Sequence, residues 1–204
     1  MKKISFFILM TALVAATVQA QNSMIKKKGN WGIKTGLNLS NIRTEDGPDS
    51  DWKTGLAAGV FFTIKAGSKF SIQPEFLYSS MGGKNVVNNL GNTGFDITGS
   101  SLRLNYFSLP LLAKFQVKNR FAVVAGPQVD VLIMAKTKSS TNQFSKVTDN
   151  YRENSFNATA GFELWPSHCF GLTARYIYGL NNIAATGIAN LKNQGVQSMA
   201  AVKL

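Results

Sequence analysis

YFSLPLLAKFQVKNRFAVVAGPQVDVLIM, residues 106–134, decides the architecture. Two apolar runs, rich in β-branched and aromatic side chains, flank the turn Lys118-Asn119-Arg120. A short polar turn between two such runs signals a β-hairpin. Each arm has about ten residues or more, the length at which a tilted strand crosses a bilayer. The stretch therefore predicts the central hairpin of a transmembrane β-barrel.

Alternating segments continue outward from this hairpin on both sides. Toward the N-terminus they cover residues 69–80, 54–65 and 31–40; toward the C-terminus, 155–165, 169–180 and 195–204. In the first strand Ile33, Thr35, Leu37 and Leu39 share one face, and Lys34, Gly36, Asn38 and Ser40 the other. Residues 54–65 repeat the pattern with Leu56, Ala58, Val60, Phe62 and Ile64 on one face. Within the hairpin arm 102–117 the alternation slips. Leu102, Leu104 and Tyr106 have one parity; Phe107, Leu109, Leu111 and Phe115 have the other. The slip predicts a bulge near Tyr106. Pro110, which has no N–H to donate, fits a second irregularity.

The arms complete a set of eight strands. Long polar connections at 41–53, 81–100, 135–152 and 181–194 alternate with short ones at Gly67-Ser68, 118–120 and 166–168. That alternation predicts an all-β fold, an eight-stranded antiparallel up-and-down transmembrane β-barrel, with both termini on the periplasmic side. A water-soluble barrel would be dense in charge on its polar face. Here that face is mostly Gly, Ser, Thr, Asn and Ala, and charged residues are only 16% of the chain, against about 25% in soluble domains. Aromatic residues gather near strand ends: Trp31, Phe70, Phe115, Phe121, Trp165 and Phe170 by the turns, and Trp52, Tyr78, Tyr106 and Tyr178 by the loops. Two interfacial girdles are expected from them.

Residues 1–20 have the form of a secretory signal. Lys2 and Lys3 precede a short apolar run, and Val18-Gln19-Ala20 fits a cleavage site. Residues 21–30, with Lys26, Lys27 and Lys28, are expected to be a periplasmic lead-in, and residues 31–204 the barrel. Formal charge is +12. Without Lys2 and Lys3 of the leader the exported chain carries 12 − 2 = +10, which points to anionic outer-membrane lipids and lipopolysaccharide as partners, not to nucleic acid. The single cysteine, Cys169, excludes an intrachain disulfide and a cysteine-rich metal site.

The lumen-facing charges are the candidate site: Lys34, Glu75, Lys114, Asp130, Glu163, Arg175 and Lys203. Charges removed from water need partners. Strand adjacency predicts Glu75 with Lys114 and Glu163 with Arg175, while Lys114 and Asp130 lie too far apart along their hairpin to pair. With bulky Phe61, Leu77 and Met134 also assigned inward, the expected lumen is a structural plug and not a pore. No catalytic, cofactor or metal site is expected. The one histidine, His168, falls in a short turn, at the wrong end for a hydrolase at the outer rim, and no phosphate-binding glycine loop or metal-ligand spacing appears.

Tyr106-Phe107-Ser108-Leu109-Pro110-Leu111-Leu112-Ala113-Lys114 resembles the middle strand of the PorT-like outer-membrane β-barrel proteins of Bacteroidota. Residues 32–41, GIKTGLNLSN, resemble that family's first strand, and residues 73–79, QPEFLYS, its third. Ala125-Gly126-Pro127 and residues 175–180, RYIYGL, resemble its fifth and seventh. Two positions depart from the pattern. Ser108 stands where the family often has glutamate, and Leu204 where an aromatic last residue is usual, which bears on recognition by the barrel-insertion machinery. The resemblance implies outer-membrane location and the barrel fold. Only some members serve protein secretion or gliding, so it implies no single activity, although secretion-system or surface partners are compatible with it.

Overall fold

Along every long strand of the computed structural model, one parity of side chains turns inward and the other outward. The structure describes residues 30–44, 49–84, 101–138, 144–185 and 190–204. The expected leader, nearly all of the expected lead-in and parts of all four long connections lie outside the described residues. The strands are β1 Asn30–Thr44, β2 Lys53–Lys65, β3 Phe70–Gly83, β4 Ser101–Lys118, β5 Phe121–Lys138, β6 Phe144–Lys146, β7 Asn154–Leu164, β8 Phe170–Gly179 and β9 Leu191–Lys203. All pairings are antiparallel. β4 pairs with β5 as well as β3, and β1 with β9 as well as β2, so eight strands close on themselves. β6 is an addition, a short flap laid on the far end of β5.

Closure leaves no unpaired edge, the condition a sheet must meet to sit in hydrocarbon. The outward face supplies the apolar surface: Leu56 is 63% exposed, Phe156 52%, Leu37 52% and Leu111 51%. Trp31, Phe70, Phe115 and Phe170 lie exposed at the end where the short turns are, and Trp52, Tyr78 and Tyr178 toward the loop end. Two expected girdle members are not there. Trp165 and Tyr106 are buried inside, at 6% and 1% exposure. Each has the inward parity of its strand, and each finds a polar partner that lipid could not offer.

The expected bulge does fall beside Tyr106, but its extra residue lies on β5 and not on β4. β4 keeps one parity throughout, with Leu102, Leu104, Tyr106, Ser108, Leu112 and Lys114 all buried. The register jumps instead on β5, where Asn105 pairs with Met134 and Tyr106 with Leu132, so Ile133 is the extra residue. The apparent slip in the sequence arises because the lumen itself is apolar near the loops. Leu102, Leu104 and Tyr106 join Ile42, Met81, Leu132, Ala135, Ile183 and Leu191 in one buried cluster. The bulge also turns Met134 out of the inward series, putting Ala135 in its place. Pro110 shifts no register: the β3–β4 and β4–β5 pairings keep the same offset on either side of it, although the β3–β4 ladder skips Leu109 and Pro110.

Strands run further at the loop end than their alternation predicted, to Thr44, Gly83 and Lys138 rather than to residues 40, 80 and 134. The last strand starts at Leu191 rather than 195. Ladder pairing persists beyond the lipid-facing band because backbone groups there still gain by pairing. Gly82 allows the end of β3 to turn. Its φ is +138°, a conformation side chains resist, and its N–H and carbonyl both bond the Ser40 hydroxyl at 3.0 Å.

At the turn end the lumen is floored by Trp165, which packs on Phe61 with ring centroids 6.1 Å apart. Its indole lies against Gly171, where any Cβ would sit 2.7 Å from the ring. Gly171→Val is expected to destabilise the barrel by about 1–3 kcal/mol through overpacking. Urea titration of the folded band on unheated gels measures this; the outward Ala160→Val serves as a control that leaves the midpoint unchanged.

Candidate functional site

Alternation brings one or two polar residues from each strand into a narrow interior. Lys34 on β1, Glu75 and Gln73 on β3, Lys114 on β4, Glu163 on β7 and Arg175 on β8 meet at one level. The side chains of Lys34, Glu75, Glu163 and Arg175 have no solvent exposure. Lys34 Nζ donates to Glu75 Oε1 at 2.7 Å and to Glu163 Oε1 at 2.6 Å. Arg175 reaches the other Glu75 oxygen at 2.8 Å, and Lys114 bonds the other Glu163 oxygen. The result is an alternating chain, Lys114–Glu163–Lys34–Glu75–Arg175, with a cation at each end and one at the centre.

Neutral groups complete it. Gln73 Nε2 donates to Glu75 at 2.9 Å and to Glu163 at 2.8 Å, tying the two carboxylates together. The Trp165 indole N–H donates to Glu163 Oε2 at 3.2 Å. From Arg175 a relay of amides continues toward the loops. Arg175 Nε donates to Gln197 at 2.7 Å, Gln197 to Asn38 at 2.6 Å, and Asn38 to Ser79 at 2.8 Å. Each carboxylate thus accepts several donors, the condition for keeping a charge in a dry interior.

Asp130 sits apart from the ion pairs. Its oxygens accept from Gln128 and Asn157 amides at 2.8 Å each, and Ser108 is its cross-strand neighbour. As the register predicted, it does not meet Lys114. Beyond it Asn193 donates to the Tyr106 hydroxyl at 2.9 Å, and the apolar cluster lies toward the loop end. Lys203 is placed at the turn end, its ammonium 3.5 Å from the Trp165 ring centroid, outside the chain of ion pairs.

Both expected pairings are therefore corrected. Glu75 takes Lys34 and Arg175 in place of Lys114, and Glu163 takes Lys114 and Lys34 in place of Arg175. Strand adjacency is the wrong measure inside an eight-stranded barrel. The interior is only about two side chains wide, so a lysine on β1 spans to β3 and β7 together. Gln73, Asn38 and Gln197 were missed as participants, although their inward parity marked them. Trp165 was missed because its aromatic character matched a girdle. Among the described residues no group of three or more His, Cys, Asp or Glu could hold a metal ion.

A closed antiparallel barrel with tight turns at one end, an apolar outer belt and charges held inside is the architecture of a bacterial outer-membrane barrel. Residues 19–185 match the outer membrane protein beta-barrel domain family, and the chain belongs to that family. The fold is shared with Ail, the attachment invasion locus protein of Yersinia pestis, solved in complex with the heparin analogue sucrose octasulfate (TM-score 0.52, 16% identity, 87% of this chain and 99% of that one). It is shared too with Neisserial surface protein A (TM-score 0.60, 10% identity, 87% of this chain and 100% of that one). No curated protein sequence matches the chain. Family and fold indicate the outer membrane as its location.

The ion-pair chain sets a mutational order. Lys34→Met strips both carboxylates of a partner and is expected to cost about 3–5 kcal/mol, with Lys114→Met costing less because Glu163 keeps Lys34. A double-mutant cycle between Lys114 and Glu163 should give a coupling of about 0.5–3 kcal/mol, and one between Lys114 and Glu75 markedly less. Equilibrium unfolding in detergent micelles measures both; equal couplings would refute the arrangement.

Proposed function

We propose that this protein is an outer-membrane barrel that acts through its surface, with a lumen plugged by its own side chains. The observation that carries the reading is that side chains occupy the interior at two levels. An ion-pair chain crosses it at one level, and an apolar cluster fills it at another. A closed lumen leaves the outward surface and the loop end as the working parts, in a structural or surface-binding role without enzymatic activity. The lumen charges Lys34, Glu75, Lys114, Glu163 and Arg175 are on this reading a structural network, with Asp130 and Lys203 at its margins.

Lipopolysaccharide is the partner the loop end favours. Arg103 on β4 is the cross-strand neighbour of Lys136 on β5, and Lys136 of Lys146 on β6. All three are exposed, on the outward face just beyond the apolar band. Like charges set directly opposite each other repel, and a row of phosphates removes that cost. The leader would be cleaved on export, and the barrel-insertion machinery would seat the mature chain. A role in protein secretion, like that of the PorT family of Bacteroidota, is the second reading. Its support is the run of five matching motifs in order, and loss of secreted proteins on gene deletion would favour it.

In planar bilayers the purified protein is expected to show no steady large conductance; stable nanosiemens steps would refute the plug. Triple substitution of Arg103, Lys136 and Lys146 by Gln is expected to weaken lipopolysaccharide binding about 100-fold, at roughly 1 kcal/mol per charge. Calorimetric titration with purified lipopolysaccharide checks the second expectation.

A further inference from the structure

The turn end of the barrel holds a basic bowl that borders the lumen network at Lys114 and Trp165. It is a cavity of about 340 Å³ between the mouth of the lumen and the short turns, and Lys114, Arg120, His168 and Lys203 line it. Its volume falls in the range of ligand pockets, about 300–1,000 Å³. Trp165 contributes the floor. Lys203 Nζ lies 3.5 Å from its ring centroid and Lys114 Nζ 5.2 Å, so two ammonium groups share one indole.

Arg120 and Lys203 have no side-chain acid in the turns around them. The short turns at 66–69, 118–120 and 165–169 contain no Asp or Glu, and neither do residues 21–30. Glu163, which bonds Lys114 at the edge of the bowl, is already held by Lys34 and Lys114. Among the described residues no ion pair involves Arg120 or Lys203. The ion-pair chain carries three positive charges to two negative, and its end at Lys114 opens on the bowl. Lys114 is the one member with residual exposure, 7% of its side chain. Such an excess of positive charge around an enclosed space is held most favourably by an anion with acceptors pointing in several directions.

We propose that this bowl binds a phosphate group. Lys114 reaches it from β4, Arg120 from the β4–β5 turn and Lys203 from β9. The tetrahedral oxygens of a phosphate offer acceptors toward all three elements at once, and the guanidinium fork suits it. Asn119, on the rim, supplies a neutral side-chain amide. The phosphate is either the headgroup of an anionic phospholipid bending over the barrel end or a free phosphate from solution.

The test uses the full barrel in a maltoside detergent. With Trp31→Phe and Trp52→Phe, Trp165 becomes the only tryptophan of the original three. Its fluorescence is followed as inorganic phosphate is added at ionic strength matched with chloride, and in a second arm as phosphatidylglycerol is doped into the micelles. Calorimetry on the same samples reads binding if the fluorescence is silent. The expected result is a saturable response that Arg120→Gln or Lys203→Gln weakens at least tenfold. Both side chains lie outside the ion-pair chain, so the unheated-gel shift should be retained. Saturation by inorganic phosphate identifies a free phosphate as a competent ligand; saturation by phosphatidylglycerol alone identifies the lipid headgroup. No saturable binding in either arm, or equal binding by both variants, would overturn the proposal.

Discussion

Lys34 is the charge on which the interior of this barrel depends. One ammonium group bonds both buried glutamates, which come from strands on opposite sides of the lumen. Each carboxylate has a second cation, Arg175 for Glu75 and Lys114 for Glu163, but neither of these outer cations bonds both. The closed sheet sets where the strands run; Lys34 sets how their inward residues share charge. Gln73 has the same bridging role in neutral form, donating to both carboxylates from one amide nitrogen.

The interior is layered around that centre. Phe61 and Trp165 form an aromatic floor, the ion pairs come next, then the amides of Asn38, Gln197, Gln128 and Asn157 around Asp130, then an apolar cap near the loops. Ser108 belongs to the amide layer, directly across from Asp130. A glutamate at 108, as in the PorT-like pattern, would set two carboxylates side by side. Here the acid of that level comes from β5 instead, and a small hydroxyl residue faces it.

Most of the fold was legible because a strand's period of two survives any context. Ile33 against Lys34, or Leu56 against Ala57, needs only the sequence to be sorted. Boundaries were less legible. Residues such as Ile42 and Met81 continue their strands past the lipid band, where alternation no longer tracks hydrophobicity. The slip at Tyr106 was real in the sequence, but its cause lay elsewhere: an apolar filling on the inner face imitates a change of face. The charged residues of the site were all readable from parity. Their partners were not, because pairing across a lumen depends on curvature and closure, which no local pattern encodes.

The same pairings constrain the order in which the barrel can assemble. Lys34 and Glu163 are 129 residues apart in the chain, and Glu75 and Arg175 are 100 apart. The seam between β1 and β9 joins strands at opposite ends of the chain. The network therefore cannot form hairpin by hairpin. Until the first and last strands zip together its five charges have to remain hydrated, and a half-rolled sheet would carry them into lipid uncompensated. High contact order of this kind makes closure slow. It also makes closure nearly all-or-none: the seam and the ion pairs are completed in one concerted event.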